Sequence, residues 1–166
     1  VGEAPAAEPA GTSHFSIVDA RGDAVAMTTT IESPFGSRIM VRGFLLNNEL
    51  TDFSATPESN GRPVANRVEP GKRPRSAMSP TMVFGTDSKL QAALGSPGGP
   101  AIIGYIAKAL VAMLDWGLDA QAAVALPNFG SRNGPTEIER GTAYESLAPL
   151  LRERGHEVIL LDLTSG

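Results

Sequence analysis

The stretch AIIGYIAKALVAMLDWG, residues 101–117, constrains the fold more than any other part of the chain. Apolar residues recur on nearly every face of the helix it predicts, and Gly117 supplies a stop signal. A helix with almost no polar face has to be covered on more than one side, so it belongs between layers rather than on a surface. It is not a membrane span, because Lys108 interrupts the run and its length falls short of a bilayer core.

The elements available to cover it are mainly short strands. HFSIVDARGDAVAMTTTI (14–31) predicts a hairpin that turns at Asp19–Asp23, where polar residues and Gly22 suit a tight reversal. Residues 32–43 carry Pro34, Gly36 and Gly43 and predict a loop with a short extended piece. FLLNNELTDFS (44–54) begins apolar and turns polar, as expected of an element that delivers side chains to a surface. Residues 55–75 are rich in proline and glycine and form the longest irregular segment, which in a compact domain is often functional. SPTMVFG and LQAALGS, joined by TDSK, predict a second hairpin over 79–96. LDAQAAVAL (118–126) reads as a helix capped by Asp119 and closed by Pro127. TAYESLAPLLRERG (142–155) reads as a third helix ending at Gly155, with Pro149 kinking it or delaying its start. HEVILLDL (156–163) is a strand. Strands first, then helices and a last strand, indicate an α+β layered domain rather than an alternating parallel sheet. No repeat and no internal boundary interrupts it. Residues 1–11, VGEAPAAEPAG, are expected to be a mobile tail ahead of a domain over 12–166.

Composition removes several function classes. The hydrophobic content of 42% is enough for a core, and the net charge of −4 without a basic, aromatic-interleaved run argues against nucleic acid. RVEPGKRPRS (67–76) is locally basic but broken by proline and glycine into a loop. With no cysteine there is neither a disulfide nor a thiolate metal site, and His14 and His156 are too far apart in sequence to suggest a histidine site. No metal and no cofactor is expected. The first residues lack the pattern of a signal peptide.

Chemistry has a few places to sit. Thr12-Ser13 follows the leader and opens the first strand, which is an ordinary domain start or the site where Thr12 is freed to become a nucleophile with its own α-amine as base. GSPGGP (95–100) leaves a strand and enters the apolar helix; it is a plain connector, or a turn whose backbone N–H groups stabilise an oxyanion beside a helix N-terminus. It has neither the dinucleotide spacing nor the Gly-Lys-Ser/Thr of a phosphate loop. Glu32, Glu49 and Asp52 are either solvated loop carboxylates or a cluster that holds an ammonium group. Ser76 and Ser79 read most simply as turn residues, and no G-x-S-x-G elbow marks a nucleophilic serine.

Taken together, GTSHFSIVDARGDAV, TTTIESPFGS, GFLLNNELTDFS, KRPRSAMSPTMVF, LGSPGGPAIIGY and NFGSRNGPTE closely resemble the small subunit of gamma-glutamyltranspeptidase, in order and in register from Thr12 onward. The resemblance implies the four-layered αββα fold of N-terminal nucleophile hydrolases, here in its small-subunit portion, with self-cleavage at Gly11–Thr12. It implies a heterodimer with the large subunit of the same precursor, and a periplasmic or secreted location. Thr12 would be processing residue and nucleophile, and Thr30 would tune it. Gly98 and Gly99 would form the oxyanion hole. Glu32, Glu49 and Asp52 would bind the α-ammonium of a γ-glutamyl donor, and Ser76 its α-carboxylate. The acceptor would be an amino acid, a peptide or water. Where many members carry two serines before Met, this chain has Ser76-Ala77, and the family's carboxylate-pairing arginine belongs to the large subunit. A glutaryl-removing cephalosporin acylase of the same family, and an inert fragment, therefore stand as alternatives.

Overall fold

The computed structural model describes residues 11–163; of the expected tail, residues 1–10 lie outside the described residues. The chain opens with β1 (Thr12–Val18) and β2 (Ala24–Thr30), an antiparallel hairpin whose register sets Thr12 opposite Thr30. The Asp19 carboxylate closes the turn by accepting from the backbone N–H groups of Arg21 and Asp23, at 2.8 and 2.9 Å. Two small antiparallel pairs follow, β3 (Met40–Val41) with β4 (Phe44–Leu45) and β5 (Glu58–Ser59) with β6 (Arg62–Pro63), separated by a 3-10 turn over Glu49–Asp52. The second predicted hairpin is present as β7 (Thr81–Phe84) and β8 (Leu90–Leu94), and β8 lies alongside both β1 and β2.

Helix α1 (Ile102–Leu114) runs out of the Gly-Gly turn and packs on α2 (Ala120–Ala125). The Asp119 side chain caps α2 by accepting from Ala122 N–H at 2.8 Å. Lys108, the lone charge within α1, donates to the carbonyls of Val124 and Leu126 at 3.3 and 2.6 Å. It thereby satisfies the exposed C-terminal end of α2, which explains a lysine in an otherwise apolar helix. Burial lowers its pKa below the ordinary lysine value.

The expectation that α1 is buried between layers is met only in part. Ile102, Tyr105, Ile106, Ala109 and Ala112 are buried, whereas Ile103 and Leu114 are more than half exposed. Among the described residues, α2 packs on α1, while Val111 is also exposed. Phe15, Ile17, Val25 and Met27 on the β1–β2 hairpin are exposed in the same way.

The C-terminal part departs from the expected order. Strands β9 (Phe129–Gly130) and β10 (Thr136–Glu139) come before α3 (Ala148–Glu153) and β11 (Val158–Leu161), and β10 pairs antiparallel with β9 but parallel with β11. A parallel pair was not expected from the order of elements. Its first strand, TEIE, has a single large apolar residue, Ile138, which is 1% exposed and anchors the cluster with Ala148 and Val158. Pro149 delays the third helix, since residues Ala143–Leu147 form a 3-10 turn and α geometry begins at Ala148. The class remains α+β.

Candidate active site

The start of β1, the exit of β2, the 3-10 turn, the loop before β7 and the Gly-Gly turn converge on one open cleft of about 540 Å3. Thr12, Thr30, Glu32, Glu49, Asp52 and Ser76 line it, and Gly99 forms part of its rim. Gly98 does not line it. Among the described residues, no group of three or more His, Cys, Asp and Glu side chains is placed to hold a metal ion.

The hydroxyls at the β1–β2 end form a short chain. Thr12 Oγ1 donates to Thr30 Oγ1 at 3.3 Å, and Thr30 Oγ1 donates to the Gly11 carbonyl oxygen at 3.2 Å. The Glu32 backbone N–H donates to Thr30 Oγ1 at 2.8 Å, which holds that hydroxyl with its proton toward residue 11. Strand pairing produces this arrangement, because opposed residues of an antiparallel ladder bring their side chains together on one face. Residue 11 must lack a side chain here, since a Cβ on Gly11 would lie 2.6 Å from the Glu32 carbonyl oxygen. Two residues along, His14 Nδ1 meets Thr28 Oγ1 at 2.8 Å, and the ring lies over Gly95, where a Cβ would come within 2.2 Å of it. Burial pushes the His14 imidazole below its ordinary pKa. That contact ties the Thr12 strand to the start of the GSPGGP turn.

Three carboxylates, Glu32, Glu49 and Asp52, line the same cleft. Glu32 sits at φ +72°, in the left-handed region that non-glycine residues rarely adopt, and its Oε2 accepts from Ser33 Oγ and Asn48 Nδ2. Glu49 has its pKa raised, first by burial and then by the charges of Asp52 and Glu32. Ser76 Oγ accepts from Met78 N–H at 3.2 Å, while Ser79 Oγ donates back to Ala77 O at 2.8 Å, as a turn serine does. The sequence reading passed over Arg75 and Arg132, which also line the cleft. Arg132 donates to Glu137 at 2.7 Å across the β9–β10 connection, a pairing that becomes visible only with the unpredicted strands.

Gly98 and Gly99 both have positive φ, +130° and +54°, and no side chain caps the start of α1 behind them. The uncapped N-terminal end of α1 therefore opens beside the cleft, with Ile102 and Ile103 on its wall. A Cβ on Gly98 would meet Tyr105 Cε2 at 2.7 Å, whereas one on Gly99 would meet nothing within 4 Å.

The family model for gamma-glutamyltranspeptidase matches residues 2–165, a span that contains every residue lining this cleft. The chain belongs to the gamma-glutamyltranspeptidase family. It is 40% identical over 161 residues to the glutathione hydrolase proenzyme of Escherichia coli, covering 90% of this chain and 27% of that protein. A solved gamma-glutamyltranspeptidase chain of Helicobacter pylori superposes with a TM-score of 0.80 at 32% identity, over 92% of this chain and 86% of the other. A cephalosporin acylase of Bacillus halodurans superposes with a TM-score of 0.75 at 24% identity, over 89% of this chain and 27% of that one, and shares the fold alone. The chain spans about a quarter of the length of the curated relatives it matches, 19% for the Bacillus subtilis proenzyme and 27% for that of Escherichia coli. The fold of this gamma-glutamyltranspeptidase chain is that of the N-terminal nucleophile hydrolases.

Proposed function

We propose that this chain is the nucleophile-bearing part of an enzyme that hydrolyses glutathione-like γ-glutamyl compounds and transfers their γ-glutamyl group. The observation that carries the reading is the Thr12–Thr30–Gly11 hydroxyl chain at the mouth of a cleft walled by three carboxylates. In processing, Thr12 Oγ1 attacks the Gly11 carbonyl carbon while the Thr30 hydroxyl polarises its oxygen. The C–N bond breaks, the Thr12 nitrogen takes up a proton, and water hydrolyses the resulting ester. The freed α-amine, with an ordinary pKa near 8, then accepts the Thr12 hydroxyl proton close to neutrality. Thr12 Oγ1 attacks the donor's γ-carbonyl, and the Gly98 and Gly99 N–H groups meet the oxyanion. The leaving amine departs with a proton, and water or an acceptor amine releases the γ-glutamyl group from the threonyl ester. Glu32, Glu49 and Asp52 hold the donor's α-ammonium, and Ser76 contacts its α-carboxylate. The exposed apolar residues of β1, β2 and α1 support a large subunit of the same precursor as partner.

The acidic wall favours γ-glutamyl over glutaryl, because the two groups differ in that ammonium. For the assembled two-subunit enzyme we expect kcat/KM for a γ-glutamyl anilide to exceed that for a glutaryl anilide by about tenfold or more, the scale of one charge-assisted hydrogen bond. A preference for the glutaryl compound would move the reading to an acylase.

Glu49 adds a pH dependence with a definite sign. It binds an ammonium only when ionised, and its raised pKa means that the charge is lost at a higher pH than for an ordinary glutamate. KM for the γ-glutamyl donor should therefore rise as pH falls, beginning at a higher pH than an ordinary glutamate would give. Glu49→Gln should flatten that limb of the KM–pH profile. A wild-type KM that stays constant through the carboxylate range would exclude Glu49 from ammonium binding.

A further inference from the structure

We infer that Asn48 is the positioning residue of the acidic wall, holding Glu32 in the orientation that Glu49 and Asp52 would otherwise oppose. The inference rests on the proposed ammonium site and adds to it a residue that does not touch the donor. Asn48 is the N-cap position of the Glu49–Asp52 turn and joins that turn to the exit of β2. Its backbone N–H donates to Ile31 O at 3.3 Å, and its Oδ1 accepts from Ser33 N–H at 3.0 Å, which pins it to the exit of β2. Its carbonyl accepts from Thr51 N–H and Thr51 Oγ1 at 2.8 and 2.7 Å, which pins it to the turn. Its Nδ2 donates toward Glu32 Oε2, Ser33 Oγ and Thr51 Oγ1. The bond from Ser33 N–H identifies the acceptor end of the amide and so directs the NH2 group at the carboxylate.

The physical need for such a residue follows from charge. Three carboxylates lining one cleft repel one another, and Glu32 also occupies a strained backbone conformation. A neutral donor that binds one oxygen of Glu32 fixes its direction without adding a positive charge to the wall. Oε1 then keeps its lone pairs for a cation. A lysine or arginine at position 48 would instead quench the wall, and an aspartate would add a fourth negative charge.

The test uses the assembled enzyme with Asn48→Asp, which keeps the shape and reverses the role from donor to acceptor. Cleavage at Gly11–Thr12, read by mass spectrometry, verifies assembly of the variant. We expect kcat/KM for the γ-glutamyl anilide to fall by about tenfold through KM, with a much smaller change for the glutaryl anilide, since the lost bond is one to a charged group. Equal losses on the two donors would overturn the inference while leaving γ-glutamyl turnover by the wild type, and hence the proposed function, intact. Absence of γ-glutamyl turnover in the wild type would instead overturn that function. A second measurement decides the Asn48–Glu32 link without any substrate: melting temperatures of Asn48→Ala, Glu32→Gln and the double variant. A double variant that loses less than the summed single losses supports the link, and additive losses refute it.

Discussion

Thr12→Ala should leave the precursor uncleaved at Gly11–Thr12 and without measurable turnover, and Thr12→Ser should retain part of both. The same oxygen is asked to do two things. It first attacks the Gly11 carbonyl, whose oxygen already accepts from Thr30 Oγ1 at 3.2 Å, and later the donor. Alanine removes the attacking atom from both steps, and loss of a nucleophile that acts in concert with its base costs more than about a thousandfold in kcat. Serine keeps the oxygen but loses the methyl group that restricts χ1, so its hydroxyl spends less time against Thr30. Mass spectrometry of the purified protein reads cleavage, and an anilide assay reads turnover. Normal cleavage in the alanine variant would remove Thr12 from the mechanism. A wild-type precursor that stays intact when assembled would favour the inert reading of this chain.

Gly98→Ala should have the second-largest effect, and a larger one than Gly99→Ala. From the sequence, Gly99 is the natural choice, because a side chain there is expected to turn or block a donor. The structure reverses the order. At Gly98 the backbone has φ +130°, which a residue with a Cβ hardly populates, and the added carbon would strike the ring of Tyr105, itself buried in α1. The turn has to move, and with it any N–H group aimed at an oxyanion; losing one such donor lowers kcat by about 100- to 1,000-fold. At Gly99 the left-handed φ of +54° costs a side chain about 1–2 kcal/mol, but the space is open. Its alanine variant should therefore lose about tenfold in kcat, since part of that strain relaxes into the turn. KM should change little in either, because the charge develops mainly in the transition state. If kcat of the processed Gly98→Ala enzyme stays within about threefold of wild type, the turn is a connector and not an oxyanion hole.

These two predictions draw on different levels of information. Thr12 stands out in the sequence because a leader rich in alanine, proline and glutamate gives way abruptly to a strand, and the hairpin, the Asp19 turn, the Asp119 cap and the Pro149 delay can each be read locally. Such signals act through hydrogen bonds and φ restrictions within about five residues, so they survive in any context. Strands β9 and β10 escape such reading for the opposite reason, although β11 falls within the predicted strand over 156–163. TEIE has no pattern of its own and becomes a strand because Ile138 finds Ala148 and Val158 and because β11 offers a parallel edge.

The cleft lies at the same divide. Threonine, glutamates, aspartate, serine and a glycine pair can be named from their types and from a family resemblance. Their meeting depends on contacts between residues far apart along the chain: Thr12 opposite Thr30 in the ladder, Asn48 bridging the exit of β2 to the Glu49–Asp52 turn, His14 lying over Gly95. Tyr105 under Gly98 ranks the two glycines by a clash that no spacing rule contains. Composition and local pattern thus set the class of the fold and the inventory of reactive groups, because both depend on residue type and near neighbours. Packing alone set which of those groups share a cavity, how Glu32 is held and which glycine cannot be replaced, because these depend on distances between segments that only the folded chain brings together.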